Sequence, residues 1–282
     1  MAQYFGASAE QVNLTLILFF VFFAAGMLFW GPWSDKYGRR PVLLVGLSLY
    51  SLAGFFCAAS QDINQLIFFR VLQAVGASAA SAVATAMIKD VYESRNREVI
   101  LAWVSSMVLI SPMVAPAFGA ILLGFTSWRG VFVALAAIGL LALAGSLALQ
   151  ETLESRYSGS LWQSLGRLAL VAKNPGFLSL LLIFSLLSFS SMAYIASSSY
   201  IYIDGFSLSE KLYSLYFAFN ALGMIGGPAL YLRLSRRLSR RSIIMAGFAF
   251  ISAGGLLVYL LGSREPWMFA ACLFPATIMG SC

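Results

Sequence analysis

Gly31-Pro32-Trp33-Ser34-Asp35-Lys36-Tyr37-Gly38-Arg39-Arg40-Pro41 is where charge first concentrates in this chain, and it stands between two long apolar runs, 12–31 and 41–60. Glycine and proline mark a turn, and the mixed charges beside it suit the watery end of two neighbouring helices. The runs on either side are near the roughly 20 residues a helix needs to cross a bilayer. Working outward, further apolar runs recur at 65–88, 99–125, 128–149, 177–203, 212–232, 243–262 and 266–282. With the first two, that predicts nine membrane spans. Each must be a helix, because in lipid every backbone polar group needs an internal partner. A β-barrel would show alternating segments of about ten residues, whereas these runs are continuous.

Composition agrees. Hydrophobic residues make up 60% of the 282 and charged residues only 10%, against about a quarter charged in soluble domains. The chain has no histidine, which argues against most metal sites and histidine-based catalysis. No cofactor and no metal is expected. The three cysteines, Cys57, Cys272 and Cys282, fall in apolar runs with no metal-binding spacing, so they read as small packed side chains.

The net charge of +7 is distributed by topology. Fourteen of the 18 Lys and Arg residues fall at 32–40, 89–98, 150–176 and 233–242, in alternate connections. That asymmetry places those connections in the cytoplasm and Met1 outside. Nucleic acid is not needed to explain the charge. Residues 150–176 form the one long connection, amphipathic at Leu161, Trp162, Leu165, Leu168 and Leu170, which suits a surface-lying segment. It divides the chain into an N-terminal bundle, 1–149, and a C-terminal bundle, 177–282. The halves echo one another: Ser34–Arg40 and Ser235–Arg241 are both basic, and both follow a Gly-Pro pair. Internal repeats of this kind are common in transporters.

The stretch 31–41 resembles the G-x-x-x-D-x-x-G-R-[RK] loop between the second and third helices of the major facilitator superfamily. Arg70-Val71-Leu72-Gln73-Ala74-Val75-Gly76 resembles that family's fourth-helix R-x-x-Q-G motif, with the glycine displaced. Ser111–Ala120 is similar to the fifth-helix antiporter motif G-P-x-x-G-G, with Ala115 and Ala120 in place of two glycines. Trp128-Arg129-Gly130-Val131-Phe132 resembles the W-R-x-x-F start of the sixth helix. Together they look most like the bicyclomycin-resistance (Bcr/CflA) type of drug:proton antiporter.

This resemblance implies an all-α fold of two six-helix bundles working by alternating access. The first helix of the pattern would lie before Met1 and the last two after Cys282, leaving about nine of twelve helices here. It implies a monomeric multi-pass protein of the bacterial inner membrane that exports drug-like or other small amphiphilic molecules. Protons would be the coupling ion, and the protein would not be an enzyme. A metabolite importer or facilitator on the same fold, or an inactive truncated transporter, is the alternative. Gly31, Asp35, Gly38, Arg39, Arg40 and Asp90 are implied to form a cytoplasmic gate, with Arg39 approaching Asp90 and Asp35 bracing the second half. Pro112, Pro116 and Gly119 would bend the antiporter-motif helix.

Arg70 with Gln73 reads either as a cavity or coupling pair, or as an arginine snorkelling to the outer interface. Tyr194 and Asn220 are possible ligand contacts. Tyr200 and Tyr202 suit interface anchors, and Gly223, Gly226 and Gly227 suit helix packing. All eleven acidic residues fall at the edges of spans or between them, so the proton-coupling carboxylate is expected in the family's first helix.

Overall fold

The computed structural model describes the backbone of residues 2–261 and 265–280; some side chains within its helices lie outside the described residues. The described elements are α1 (Ala2–Phe5), α2 (Ala9–Tyr37), α3 (Arg39–Ala59), α4 (Ile63–Val91), α5 (Ser94–Phe125), α6 (Trp128–Leu147), α7 (Leu161–Ala172), α8 (Pro175–Ser199), a π-helical turn (Tyr200–Gly205), α9 (Glu210–Leu234), α10 (Arg240–Leu261) and α11 (Pro266–Gly280). Each of the nine apolar runs is occupied by a helix. Among the described residues, α2, α3, α4, α6 and α10 have the length and composition to cross a membrane. The amphipathic part of the long connection is α7.

The connections are shorter than the sequence suggests. The expected loop at 32–40 contracts to Gly38 alone, because α2 continues through Pro32 to Tyr37 and α3 begins at Arg39. The Gly38 N–H donates to Ser34 O at 3.1 Å, closing the last turn of α2. Its φ of 106° lies in a region that glycine adopts without strain. The expected 89–98 loop shrinks likewise to Tyr92 and Glu93.

Two compact units are present: residues 1–101 with 122–178, and 102–121 with 179–282. In the first, α3 packs on α4 and α6, and α2 packs on α4. Without a hydrophobic force between helices in lipid, close packing of small residues must hold them, and such contacts are present. A Cβ on Gly76 would stand 2.4 Å from Tyr50 N and 2.7 Å from Gly46 O, so the α3 and α4 backbones nearly touch there. A Cβ on Gly54 would meet Ala136 Cβ at 2.9 Å, and one on Gly139 would meet Ser51 Oγ at 2.5 Å, bringing α6 against α3. The Trp30 indole N–H donates to Val75 O at 2.9 Å and ties α2 to α4. The apolar core around these contacts is Trp30, Val42, Leu43, Leu47, Val83 and Met87.

In the second unit α11 lies against α9 and α10. A Cβ on Gly223 would meet Thr277 Oγ1 at 2.4 Å, so Gly223 packs α9 on α11 as expected. Gly226 has no described atom within 4 Å of its would-be Cβ and is not a packing glycine of that kind. Large apolar side chains such as Leu28, Leu52, Phe56 and Leu141 are exposed, the surface that a lipid solvent calls for.

These contacts sort the glycines by consequence. Gly76→Val should separate α3 from α4 and cost about 1–3 kcal/mol by overpacking. Gly226→Ala should be neutral or slightly stabilising, since it removes a flexible residue from a helix interior. Thermal unfolding in detergent compares them, and equal midpoints for the two variants would contradict the packing described.

Candidate functional site

At the basic ends of α2, α3 and α4 the side chains of the 31–41 stretch converge. Arg39 is buried, and its guanidinium carries three interactions. Nε donates to Asp90 Oδ2 at 2.8 Å, Nη1 donates to Ser34 Oγ at 2.6 Å, and Nη1 also pairs with Asp35. Ser34 in turn donates to Gly31 O at 2.8 Å. One guanidinium thus joins the last turn of α2, the first of α3 and the last of α4, which the planar five-donor fork of arginine can do and a lysine cannot. The two carboxylates differ in setting: the Asp90 side chain is 23% exposed and that of Asp35 43%. Water screens the Asp35 pair more, so Asp90 is the stronger partner.

Arg40, beside Arg39, turns elsewhere and donates Nη2 to Leu147 O at 2.8 Å, at the end of α6. Gly31 contributes its carbonyl, and a Cβ there would meet nothing within 4 Å. Of the residues expected in this group, the structure brings Gly31, Asp35, Gly38, Arg39 and Asp90 together around one guanidinium, with Arg40 at their margin. Sequence reading missed Ser34, which is buried beneath the arginine.

A second polar group lies within the helices. Arg70, two turns into α4, donates from Nη1 to Gln73 Oε1 at 2.9 Å. Its guanidinium lies 4.2 Å from the centre of the Phe19 ring on α2 and 5.7 Å from that of Phe132 on α6. Contact with an aromatic face stabilises a cation by about 0.5–2 kcal/mol. Gln73 is fully buried, and its Nε2 has no partner among the described residues. Neither described ion pair involves Arg70.

Among the described residues of the second unit, Tyr194 Oη, Tyr202 Oη and Asn220 Oδ1 are buried with no hydrogen-bond partner. The Tyr194 hydroxyl lies beside Tyr202 and Asn220 and completes no hydrogen bond among the described residues. Tyr202 stacks on Tyr216 with ring centres 5.4 Å apart and meets Phe269 edge-on at 5.4 Å. It is fully buried, so the expected interface anchor is a core residue. The π-helical turn Tyr200–Gly205 accounts for this, since its extra residue per turn moves Tyr202 off the α-helical face. Asn220 Nδ2 reaches Tyr216 O at 3.4 Å. Such a group can hydrogen-bond a neutral ligand but cannot pair a charge.

Gly119 lies on α5 with open space around its would-be Cβ. The side chains of Pro112 and Pro116, on the same helix, lie outside the described residues. Among the described residues no group of His, Cys, Asp or Glu could hold a metal ion.

The geometry ranks the partners of Arg39. Asp90→Asn should lower the unfolding midpoint more than Asp35→Asn. Asp90→Ala and Arg39→Ala should be non-additive by about 0.5–3 kcal/mol, as for residues in contact. Thermal unfolding of the two single variants and the double variant reads this, and strict additivity would contradict the contact.

Comparison with known proteins follows the same lines. The family model described as Major Facilitator Superfamily matches residues 1–282. An uncharacterized MFS-type transporter, YdgK of Bacillus subtilis, is 32% identical over 249 residues, covering 86% of this chain and 62% of the relative. The chloramphenicol resistance protein CraA of Acinetobacter baumannii is 29% identical over 280 residues, covering 98% and 66%. The multidrug transporter MdfA of Escherichia coli O157:H7 is 34% identical over 243 residues, covering 84% and 59%. The chain thus spans a little under two thirds of the length of these relatives. Among solved structures, the human organic anion transporter MFSD10 superposes with a TM-score of 0.60 at 19% identity, covering 96% of this chain and 73% of that one. A bacterial homologue of the human lysosomal transporter Spinster, inward-facing and unoccupied, superposes with a TM-score of 0.58 at 18% identity, with the same coverage. These two likenesses concern the fold. With helices over its apolar runs among the described residues, the Arg39 cluster in place and a family match along its whole length, this multi-pass membrane chain belongs to the Major Facilitator Superfamily.

Proposed function

We propose that this chain belongs to a proton-coupled secondary transporter that exports drug-like amphiphilic molecules across the bacterial inner membrane by alternating access. The observation that carries the proposal is Arg70. A guanidinium in a membrane-spanning helix costs at least about 2.5–3.5 kcal/mol. Here it rests on Gln73 and an aromatic face and makes no described ion pair. A charge kept at such cost marks an ion or substrate pathway by default. Relatives named for chloramphenicol and multidrug resistance support drugs as the cargo class.

In this reading Arg70 and Gln73 form the coupling or cavity pair of the first unit. Tyr194 and Asn220, joined by Tyr202, offer neutral contacts to cargo in the second. Gly31, Asp35, Gly38, Arg39, Arg40 and Asp90 form the gate at the basic end, which faces the cytoplasm by its excess of Lys and Arg. The gate contact is made in one access state and broken in the other. Pro112, Pro116 and Gly119 let the antiporter-motif helix, α5, bend during the exchange, since prolines remove helix hydrogen bonds. Protons are the driving ion, lipid the solvent, and the monomer the working unit.

Chloramphenicol accumulation in an efflux-deficient bacterium expressing this chain tests the reading. The expected result is lower accumulation, restored by a protonmotive-force uncoupler. Arg70→Ala should abolish the effect, and Arg70→Lys should retain only part of it, because lysine keeps the charge but not the planar contact with Phe19. Unchanged accumulation, or export that survives the uncoupler, would refute proton-coupled drug export by these 282 residues.

A further inference from the structure

α3 begins without a capping side chain of its own, since Gly38 precedes its first residue. The first N–H groups of a helix need partners from elsewhere. Here they come from one carboxylate, that of Glu151, which stands four residues past the end of α6. Oε1 accepts from Arg39 N at 2.9 Å and Oε2 accepts from Arg40 N at 3.2 Å. Oε1 also accepts from Thr152 N at 3.0 Å and Leu153 N at 3.2 Å. A single side chain therefore holds the start of α3 and the start of the 148–160 segment at once. Bonds from N–H groups to a carboxylate are about twice as strong as neutral ones, and a negative charge at a helix N-terminus is favourable in itself.

Three further contacts fasten the same segment to the same helix ends. Arg40 Nη2 donates to Leu147 O, Tyr157 N donates to Asp35 O at 2.9 Å, and Thr152 Oγ1 donates to Asp90 Oδ2 at a long 3.5 Å. Gly38 belongs to this arrangement. Beyond its positive φ, a Cβ there would stand 2.5 Å from Glu151 Oε2 and displace the carboxylate. The other end of α3 is held in the opposite sense: Arg129, in the first turn of α6, donates to Ala58 O at 2.9 Å and to Ser60 O at 3.0 Å. Residues flanking or opening α6 thus supply an anion to the N-terminus of α3 and a cation to its C-terminus, both with the favourable sign for the helix dipole.

We propose that Glu151 is the positioning residue of the Arg39 cluster. By holding the Arg39 and Arg40 amides it fixes the direction in which the Arg39 side chain leaves the helix, toward Ser34 and Asp90. Docking of residues 148–157 and closure of the Arg39–Asp90 contact are then one event, made and broken together. The inference rests on the gate reading for its role in transport but not for its structural content.

Limited trypsin digestion of the full chain in lipid nanodiscs tests it, with cleavage after the exposed Arg156 followed by mass spectrometry. Cleavage of a locally opened segment tracks the open population. Glu151→Gln should therefore speed cleavage after Arg156 about tenfold, the effect of losing roughly one charge-assisted bond. Glu151→Asp should recover part of the protection. Cleavage after Lys173, at the end of α7, should not change. Asp90→Asn is the variant that a merely local cap would not respond to, and it should also speed cleavage after Arg156. Wild-type cleavage rates in Glu151→Gln, or in Asp90→Asn, would overturn the proposal. Failure of the exporter reading would appear in drug accumulation instead, so the two outcomes are separable.

Discussion

From the start of α3 the Arg39 guanidinium binds Ser34 and Asp35 at the end of α2 and Asp90 at the end of α4, and the arrangement of the first unit's basic end depends on it. No apolar contact could do this work there, because the ends of α2, α3 and α4 are where the chain leaves lipid for water and carry the polar groups such an exit requires. An arginine in that place satisfies two helix ends and neutralises two carboxylates with one side chain. Glu151 supplies what the side chain cannot, namely partners for the Arg39 and Arg40 amides. The result is a connection between α2 and α3 that is a single glycine long.

Below that level the helices are held differently. Lipid is as apolar as the side chains, so burial of apolar surface does not drive helix against helix. Gly46, Gly54, Gly76 and Gly139 let backbones approach, and the Trp30 indole reaches a carbonyl across the contact. Among the described residues, the polar groups Gln73 beside Arg70, and Tyr194 with Tyr202 and Asn220, each leave a buried atom without a partner. Polar atoms buried without partners are costly, which is why they attract a functional reading when helix packing does not explain them.

The helices were legible in the sequence because membrane solvation writes each one as a long apolar run, and the family followed from the 31–41 stretch. The ends were less legible. Pro32 and the charges after it read as loop, yet α2 carries them as its last turns, since a helix end can remain helical once its carbonyls find Gly38 and its charges find Arg39. Contacts between residues distant in sequence left no local mark. Glu151 lies 112 residues from Arg39, in what reads as the start of a linker, and Arg129 reads as part of a motif with no hint of the carbonyls it binds. Tyr202 reads as an interface aromatic because it stands near the end of an apolar run, and the π-helical turn that carries it into the core leaves no mark in the sequence. A clue was available for Ser34, which lies one turn from Gly38 inside the motif itself.

The alternating access proposed for this chain calls for a contact at the helix ends that is firm in one state and released in the other. The Arg39–Asp90 pair, partly exposed and bound by a short bond, has that character. Solid-state NMR in lipid, with ¹⁵N in the Arg39 guanidinium and ¹³C in the Asp90 carboxylate, measures it directly. The account predicts a dipolar coupling of hydrogen-bonded strength between the two labels, lost on Asp90→Asn. No coupling in the wild-type chain would contradict it.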